Sequence, residues 1–222
     1  MKVNGTLAVS VDKKSANKVT TPSKASFILA LSITSLLFCI QTFSSDTFLL
    51  FRYENSVLQT GEWWRLLSGH FIHLSWTHLL LNLAGFFTIF YIFFQSVKPA
   101  LFIAYIFLLA MGVSLGLLIF SPNIEWYVGL SGILHGLIVI GAFMNIRHNL
   151  WVSVLILVGV SMKLIWEQAF ADAYSMQLVI NGKIIYDAHL YGAIMGTIIT
   201  AAFYLLPSCG VCKYSKYKPP FH

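Results

Sequence analysis

Gly129-Leu130-Ser131-Gly132-Ile133-Leu134-His135-Gly136 opens an apolar run that continues to Ile146, with a hydroxyl at its start and glycines four residues apart. A second run, Ala188-His189-Leu190-Tyr191-Gly192-Ala193-Ile194-Met195-Gly196, places an imidazole at its start. Gly192 and Gly196 follow His189 at i+3 and i+7, so all three lie on one helical stripe. Hydrocarbon does not tolerate a hydroxyl and an imidazole idly. Small residues let helix backbones approach closely in lipid. The two stripes therefore predict two helices packed near enough for Ser131 to meet His189 as a nucleophile meets its base.

The rest of the chain supplies a bilayer setting for that pair. Hydrophobic residues make up 58% of the 222 and charged residues 10%, far below the roughly 25% charged content of soluble domains. A helix needs about 20 mostly apolar residues to cross the hydrocarbon layer. Six segments qualify: Phe27 to Phe43, Trp76 to Phe94, Leu101 to Phe120, Ser131 to Ile146, Leu150 to Ile165 and Ala188 to Leu206. The fourth and fifth are short, about 24 Å at the helical rise. The expected fold is an all-α membrane protein, a bundle of six transmembrane helices over residues 26–207. It lies between a flexible polar leader, 1–25, and a short basic tail, 208–222. The first span is long for the apolar region of a secretory signal and is expected to be retained.

Charge orients this bundle. With six spans both termini share one side, which collects Lys2, Lys13, Lys14, Lys18, Lys24, Lys98, Arg147, Lys213, Lys216 and Lys218 against Asp12 alone. The other side holds Arg52, Arg65 and Lys183, with Lys163 near its rim, beside the acidic residues Asp46, Glu54, Glu62, Glu125, Glu167, Asp172 and Asp187. Ten basic residues against four is the bias of cytoplasmic termini. The net charge of +6 is thus a topology signal and not a sign of nucleic-acid binding. The two long connections, about 44–75 and 166–187, both fall on the outer side. The first carries Phe48, Phe51, Trp63 and Trp64 beside Arg52, Glu62 and Arg65, a composition suited to the lipid interface, read either as an ordinary interfacial anchor or as a lateral boundary for an entering substrate. Of the three cysteines, Cys209 and Cys212 form a lone CxxC, read as two free thiols.

A third polar group, His70, His73, His78 and Asn82, enters the second span from outside. His78 and Asn82 are four residues apart on one face, and Gly85 continues it. Two neutral donors in a low-dielectric site are what a developing oxyanion needs. Histidines so close could instead hold zinc, but no HExxH or carboxylate companion stands nearby, and a serine with its base makes a metal unnecessary. No metal or cofactor is expected. Asp187, two residues before His189, falls about 200° away around the helix, so it is read as the N-cap of the sixth helix and not as a third catalytic group.

Trp64-Arg65, His73-xxxx-His78-xxx-Asn82, Gly129-Leu130-Ser131-Gly132 and Ala188-His189-xx-Gly192-xxx-Gly196 together resemble the rhomboid intramembrane serine proteases, in order and over roughly residues 61–200. The resemblance implies a Ser131–His189 dyad, with His78 and Asn82 joining the Ser131 amide in an oxyanion hole. Gly129, Gly132, Gly192, Gly196, His73 and His135 would support it. Gly69-His70-Phe71-Ile72-His73-Leu74-Ser75-Trp76-Thr77-His78, running into Asn82 and Gly85, and Ile133-Leu134-His135-Gly136 are most similar to the bacterial rhombosortase subgroup. That similarity implies membrane-anchored protein substrates with a C-terminal tail of Gly-Gly, an apolar helix and basic residues. It also implies a bacterial inner membrane and a site opening to the periplasmic side. Where many rhomboids carry tyrosine, this chain has His135, placed to stack on His189 or to bond to it. Two rivals stand beside the enzyme: a catalytically inactive rhomboid-like scaffold that binds transmembrane clients, and a transporter. A transporter should show broken or charged helices near the midplane and an internal repeat, and neither is visible.

Overall fold

The protein is described here from a computed structural model, over residues 23–170, 180 and 182–205. The leader lysines before residue 23, the Cys209/Cys212 pair and the basic tail lie outside the described residues. Five described helices are long and apolar enough to cross a membrane. They are α1 (Lys24–Thr42), α5 (Trp76–Ile89) with its continuation Phe90–Phe94, α6 (Pro99–Phe120), α8 (Leu150–Ala169) and α9 (Tyr186–Leu205). A shorter apolar helix, α7 (Ser131–Asn145), completes the bundle. Its 15 residues span about 22 Å at the helical rise, less than the ~30 Å hydrocarbon layer.

Local chemistry accounts for the helix ends. Ser75 caps α5 by accepting the His78 N–H at 3.1 Å. Asn149 caps α8 through Val152 N–H at 3.4 Å, and Pro99 opens α6 at a position that needs no intrahelical donor. The end of α5 widens into a π-turn over Phe90–Phe94. There Phe86, Phe90, Phe94 and Phe102 meet ring on ring at 5.2–6.1 Å.

The structure moves several expected boundaries, among them the starts of α6 at Pro99 and of α9 at Tyr186. α1 begins at Lys24, inside the stretch assigned to the leader. α8 runs on to Ala169, past the Ile165 at which the fifth span is expected to end. That extra turn carries Glu167 out of the expected loop and into the bundle. The all-helical expectation needs one amendment: Tyr53–Glu54 (β1) and Trp126–Tyr127 (β2) form a two-residue antiparallel ladder, Tyr53 opposite Tyr127.

The first outer connection is structured, with helices α2 (Ser44–Phe51), α3 (Val57–Thr60) and α4 (Arg65–Ser68) and a 3₁₀ turn at Gly69–Phe71. Arg65 is its hub. Nearly buried, it donates to the Leu49 and Arg52 carbonyls at 2.7 and 3.1 Å and forks onto both Glu62 oxygens at 3.0 and 3.2 Å. Trp63 and Trp64 stay exposed, as interfacial aromatics do.

α7 is the centre of the bundle, with Ile133, Leu134, Leu137 and Ile140 buried among α5, α6 and α9. α8 has only Ser153 and Leu164 buried. Its Trp151, Leu155, Met162 and Ile165 are exposed, as are Phe120 of α6 and Leu205 of α9. An apolar surface of this kind belongs against lipid. The chain is an integral membrane protein.

α7 and α9 touch through glycine. A Cβ on Gly192 would strike the Gly132 carbonyl oxygen. One on Gly196 would lie 2.6 Å from the Gly136 carbonyl, and one on Gly132 would lie 2.8 Å from that of Ala188. No rotamer relieves a clash with backbone, so only glycine permits this approach. Gly85 of α5 faces the Leu134 side chain of α7, whose Cδ1 would lie 3.1 Å from an added Cβ, which turns the His78–Asn82–Gly85 stripe toward α7.

Candidate active site

Ser131 is the first residue of α7 and His189 lies in the first turn of α9. The glycine contact brings their side chains together: Ser131 Oγ lies 3.0 Å from His189 Nε2. His189 is buried and Ser131 half-buried.

The other ring nitrogen, His189 Nδ1, lies 3.0 Å from Glu167 Oε2. No motif in the sequence points to this carboxylate, which the expected end of the fifth span at Ile165 leaves in the outer connection. Its other oxygen, Oε1, accepts from the Lys163 ammonium one turn back on α8. The four-residue spacing of Lys163 and Glu167 is the helical ion-pair signal that would have placed both on α8. Asp187, expected as a helix cap, instead lies inside the first turn of α9. Its carboxylate accepts from Ser121 Oγ at 2.5 Å and Gln168 Nε2 at 3.4 Å, and Tyr191 OH meets the same serine at 2.7 Å.

His135 stacks on His189, with centroids 4.2 Å apart and planes 16° from parallel. Its Nδ1 lies 2.8 Å from the Ser131 carbonyl oxygen, which only accepts, so Nδ1 carries the proton. The neutral ring then offers Nε2 as an acceptor, and the Lys163 ammonium meets it at 3.1 Å. One ligand atom each from His135, Glu167 and His189 falls within 4.8 Å of the others, a spacing that a metal ion could use. The Lys163 ammonium already donates to two of the three, so the chain supplies a positive charge at that place.

His78 and Asn82 reach the serine loop from α5. A Cβ on Gly129 would lie 2.9 Å from His78 Nε2 and 3.8 Å from Asn82 Nδ2. Gly129 has φ +121°, a conformation that other residues rarely adopt. The Leu74 N–H approaches His78 Nδ1 at 3.4 Å, which leaves Nε2 to carry the proton and face Gly129. Asn82 Nδ2 gives one N–H to the His78 carbonyl at 3.2 Å and keeps a second. Because Ser131 opens α7, its own N–H has no partner within the helix. The His78 and Asn82 side chains thus face the Gly129 backbone, two residues before Ser131, whose own N–H stands outside the helical ladder.

Two further histidines, His73 and His70, brace this arrangement. His73 is buried edge-to-face against His78 at 5.0 Å. His70 donates through Nε2 to Ser114 Oγ at 3.0 Å, since the Ser114 hydroxyl proton goes to the Leu66 carbonyl at 2.6 Å. Tyr127, another residue that the sequence did not single out, donates to the Gly129 carbonyl at 2.5 Å and packs on His70 at 5.4 Å. The Gly129 N–H in turn donates to the Gly69 carbonyl at 3.0 Å.

Burial holds His70 down to about 4, and burial with the neighbouring His78 holds His73 down to about 3. Both are neutral when folded, whereas in the unfolded chain they take up protons near pH 6.5. A lowered folded value means that stability is full above about pH 6.5 and falls as pH drops toward 4. Acidification from pH 7 to 5 is expected to cost about 2 kcal/mol for each group, or ~4–8 °C in melting temperature. Thermal melts of the purified protein at both pH values check this: the drop should shrink in His70→Gln, which cannot titrate. An equal drop in both proteins would contradict it.

The helices, the glycine contact and the paired hydroxyl and imidazole define a membrane-embedded protein in which Ser131 and His189 meet at the tips of two packed helices. The Rhomboid domain model matches residues 60–206, and the chain belongs to the rhomboid family. Members of this family are in general intramembrane serine proteases acting on membrane-anchored substrates. A comparison with curated proteins finds no match.

Proposed function

We propose that this chain is an active intramembrane serine endopeptidase of rhombosortase type, in which Ser131 is the nucleophile and His189 its base. The observation that carries this is the 3.0 Å approach of Ser131 Oγ to His189 Nε2, beside donors on His78 and Asn82. An inactive scaffold that merely binds transmembrane clients has no need of that approach.

The steps follow from the geometry. His189 Nε2 takes the hydroxyl proton as Ser131 Oγ bonds to the carbonyl carbon of a substrate peptide. His78 Nε2–H, Asn82 Nδ2–H and the Ser131 N–H stabilise the oxyanion. The tetrahedral intermediate collapses, the C–N bond breaks, and the amine leaves with the proton from His189. Water, deprotonated by the same imidazole, hydrolyses the resulting ester.

The substrate reading follows the subgroup resemblance: secreted proteins with a Gly-Gly, apolar-helix and basic C-terminal tail, cut near the outer face. Glycines in the substrate suit a serine recessed at the tip of a short helix, because an extended backbone without side chains reaches it most easily. The chain crosses a bacterial inner membrane six times, with α7 as the short central span and 26–207 as the catalytic domain. The leader and the tail are cytoplasmic, and the site opens to the periplasmic side, as the basic-residue bias supports.

Two measurements test this. Purified protein in lipid vesicles should label with a fluorophosphonate, and Ser131→Ala should not. A model protein with the Gly-Gly and apolar-helix tail should be cut in or next to that tail, as located by mass spectrometry. Equal labelling of the native chain and Ser131→Ala would reject the enzyme, and cleavage of tails only without Gly-Gly would reject the subgroup.

A further inference from the structure

We propose that Glu167 is a positioning residue for His189, turning the serine–histidine pair into a three-residue relay, and that Lys163 holds the carboxylate in place. The proposal presupposes the protease reading above and adds a group to it.

Three features of the geometry converge. For His189 Nε2 to accept the Ser131 proton, Nδ1 must already carry the ring's own proton. Glu167 Oε2 at 3.0 Å is an ionised acceptor, so it selects that tautomer. The side chains of His189 and Glu167 are 8% and 11% exposed, so water screens the pair poorly and the carboxylate stabilises the imidazolium formed during attack. Finally, the ring is held from two directions. His135 covers one face of it, Glu167 holds Nδ1, and the Lys163 ammonium donates to both of these partners. Asp187 cannot take this part, because its oxygens serve Ser121 and Gln168. A metal held by His135, Glu167 and His189 would need to displace the Lys163 ammonium, and the tethered cation makes that unfavourable.

The charged and titratable groups that face His189 are Glu167 and Lys163 from α8, His135 from α7, His78 from α5 and Tyr186 on its own helix. Glu167→Gln changes one of them and keeps the volume. The test uses the full chain in vesicles, with the tailed model substrate and fluorophosphonate labelling, for native, Ser131→Ala, Glu167→Gln, Glu167→Asp and Lys163→Met proteins. Glu167→Gln should lower kcat about 10²- to 10⁴-fold with KM within about threefold. The acid limb of its kcat/KM profile should move to lower pH, because the imidazolium has lost its carboxylate. Glu167→Asp should recover at least about tenfold of the loss. Lys163→Met should move the acid limb the other way, since a neighbouring cation is gone.

Native kcat and an unmoved acid limb in Glu167→Gln, with Ser131→Ala inactive, overturn this proposal and leave the protease intact. A native chain that labels no faster than Ser131→Ala overturns the protease reading itself. Should Glu167→Gln fail to fold, Lys163→Met decides, and an unmoved acid limb there counts against the relay. Activity lost to a chelator and restored by zinc in the native chain would assign the three ligand atoms to a metal and overturn the relay.

Discussion

His189→Ala is expected to lower turnover by about 10⁴-fold or more while leaving the protein folded and substrate binding near native. The imidazole is the only base within hydrogen-bond distance of Ser131 Oγ among the described residues, and a neutral hydroxyl is a poor nucleophile at pH 7. Glu167 cannot substitute, because it reaches the serine only through the ring. The double variant Ser131→Ala/His189→Ala should be scarcely worse than either single one, because the two groups act as a unit. Single-turnover cleavage of the tailed substrate measures all three. Near-native turnover in His189→Ala, or losses that multiply in the double variant, would reject the shared mechanism.

Gly192→Ala is the second large effect, and it reaches the site through the backbone. Its new methyl meets the Gly132 carbonyl, and neither atom belongs to a side chain that can rotate away. α9 must retreat from α7, and Ser131 and His189 sit at the ends of those two helices. A displacement of about 1 Å at reacting atoms costs on the order of 10²-fold in rate, and overpacking costs about 1–3 kcal/mol or more in stability. Gly159→Ala is the matched control. Nothing lies within 4 Å of its added methyl on α8, so it should be neutral or gain up to about 1 kcal/mol from helix propensity. Melting temperature and fluorophosphonate labelling rate, read on both variants, separate backbone crowding from a general intolerance of alanine. Equal behaviour of the two would contradict the glycine contact as the device that sets the distance.

Much of this was legible beforehand because lipid imposes strict rules. Apolar length marks a helix that crosses, and a glycine stripe marks where two of them touch. The start of α7 at Ser131, the start of α5 at Trp76 and the shared face of His78, Asn82 and Gly85 all follow from spacing alone. The miss at Glu167 has a physical cause. The expected fifth span stops at Ile165, and apolar length along one helix carries no information about a partner contributed by another. The Lys163 ammonium compensates the charge of Glu167 and the His189 ring meets its other oxygen, so the helix continues through it. Asp187 erred in the opposite direction: its proximity to His189 in sequence drew attention, whereas its actual partners, Ser121 and Gln168, are 66 and 19 residues away.

Taken by itself, the order of residues determined that the chain lives in a bilayer, which helices carry the hydroxyl and the imidazole, and which faces those helices turn to each other. These are one-dimensional properties, set by apolar length and helical period. Only the folded bundle decided which tautomer His189 adopts, what lies at its second nitrogen, where the Lys163 ammonium goes and how Tyr127 anchors the serine loop. Each of those depends on atoms from different helices falling within about 3 Å of one another, and no periodicity along a single helix carries that information.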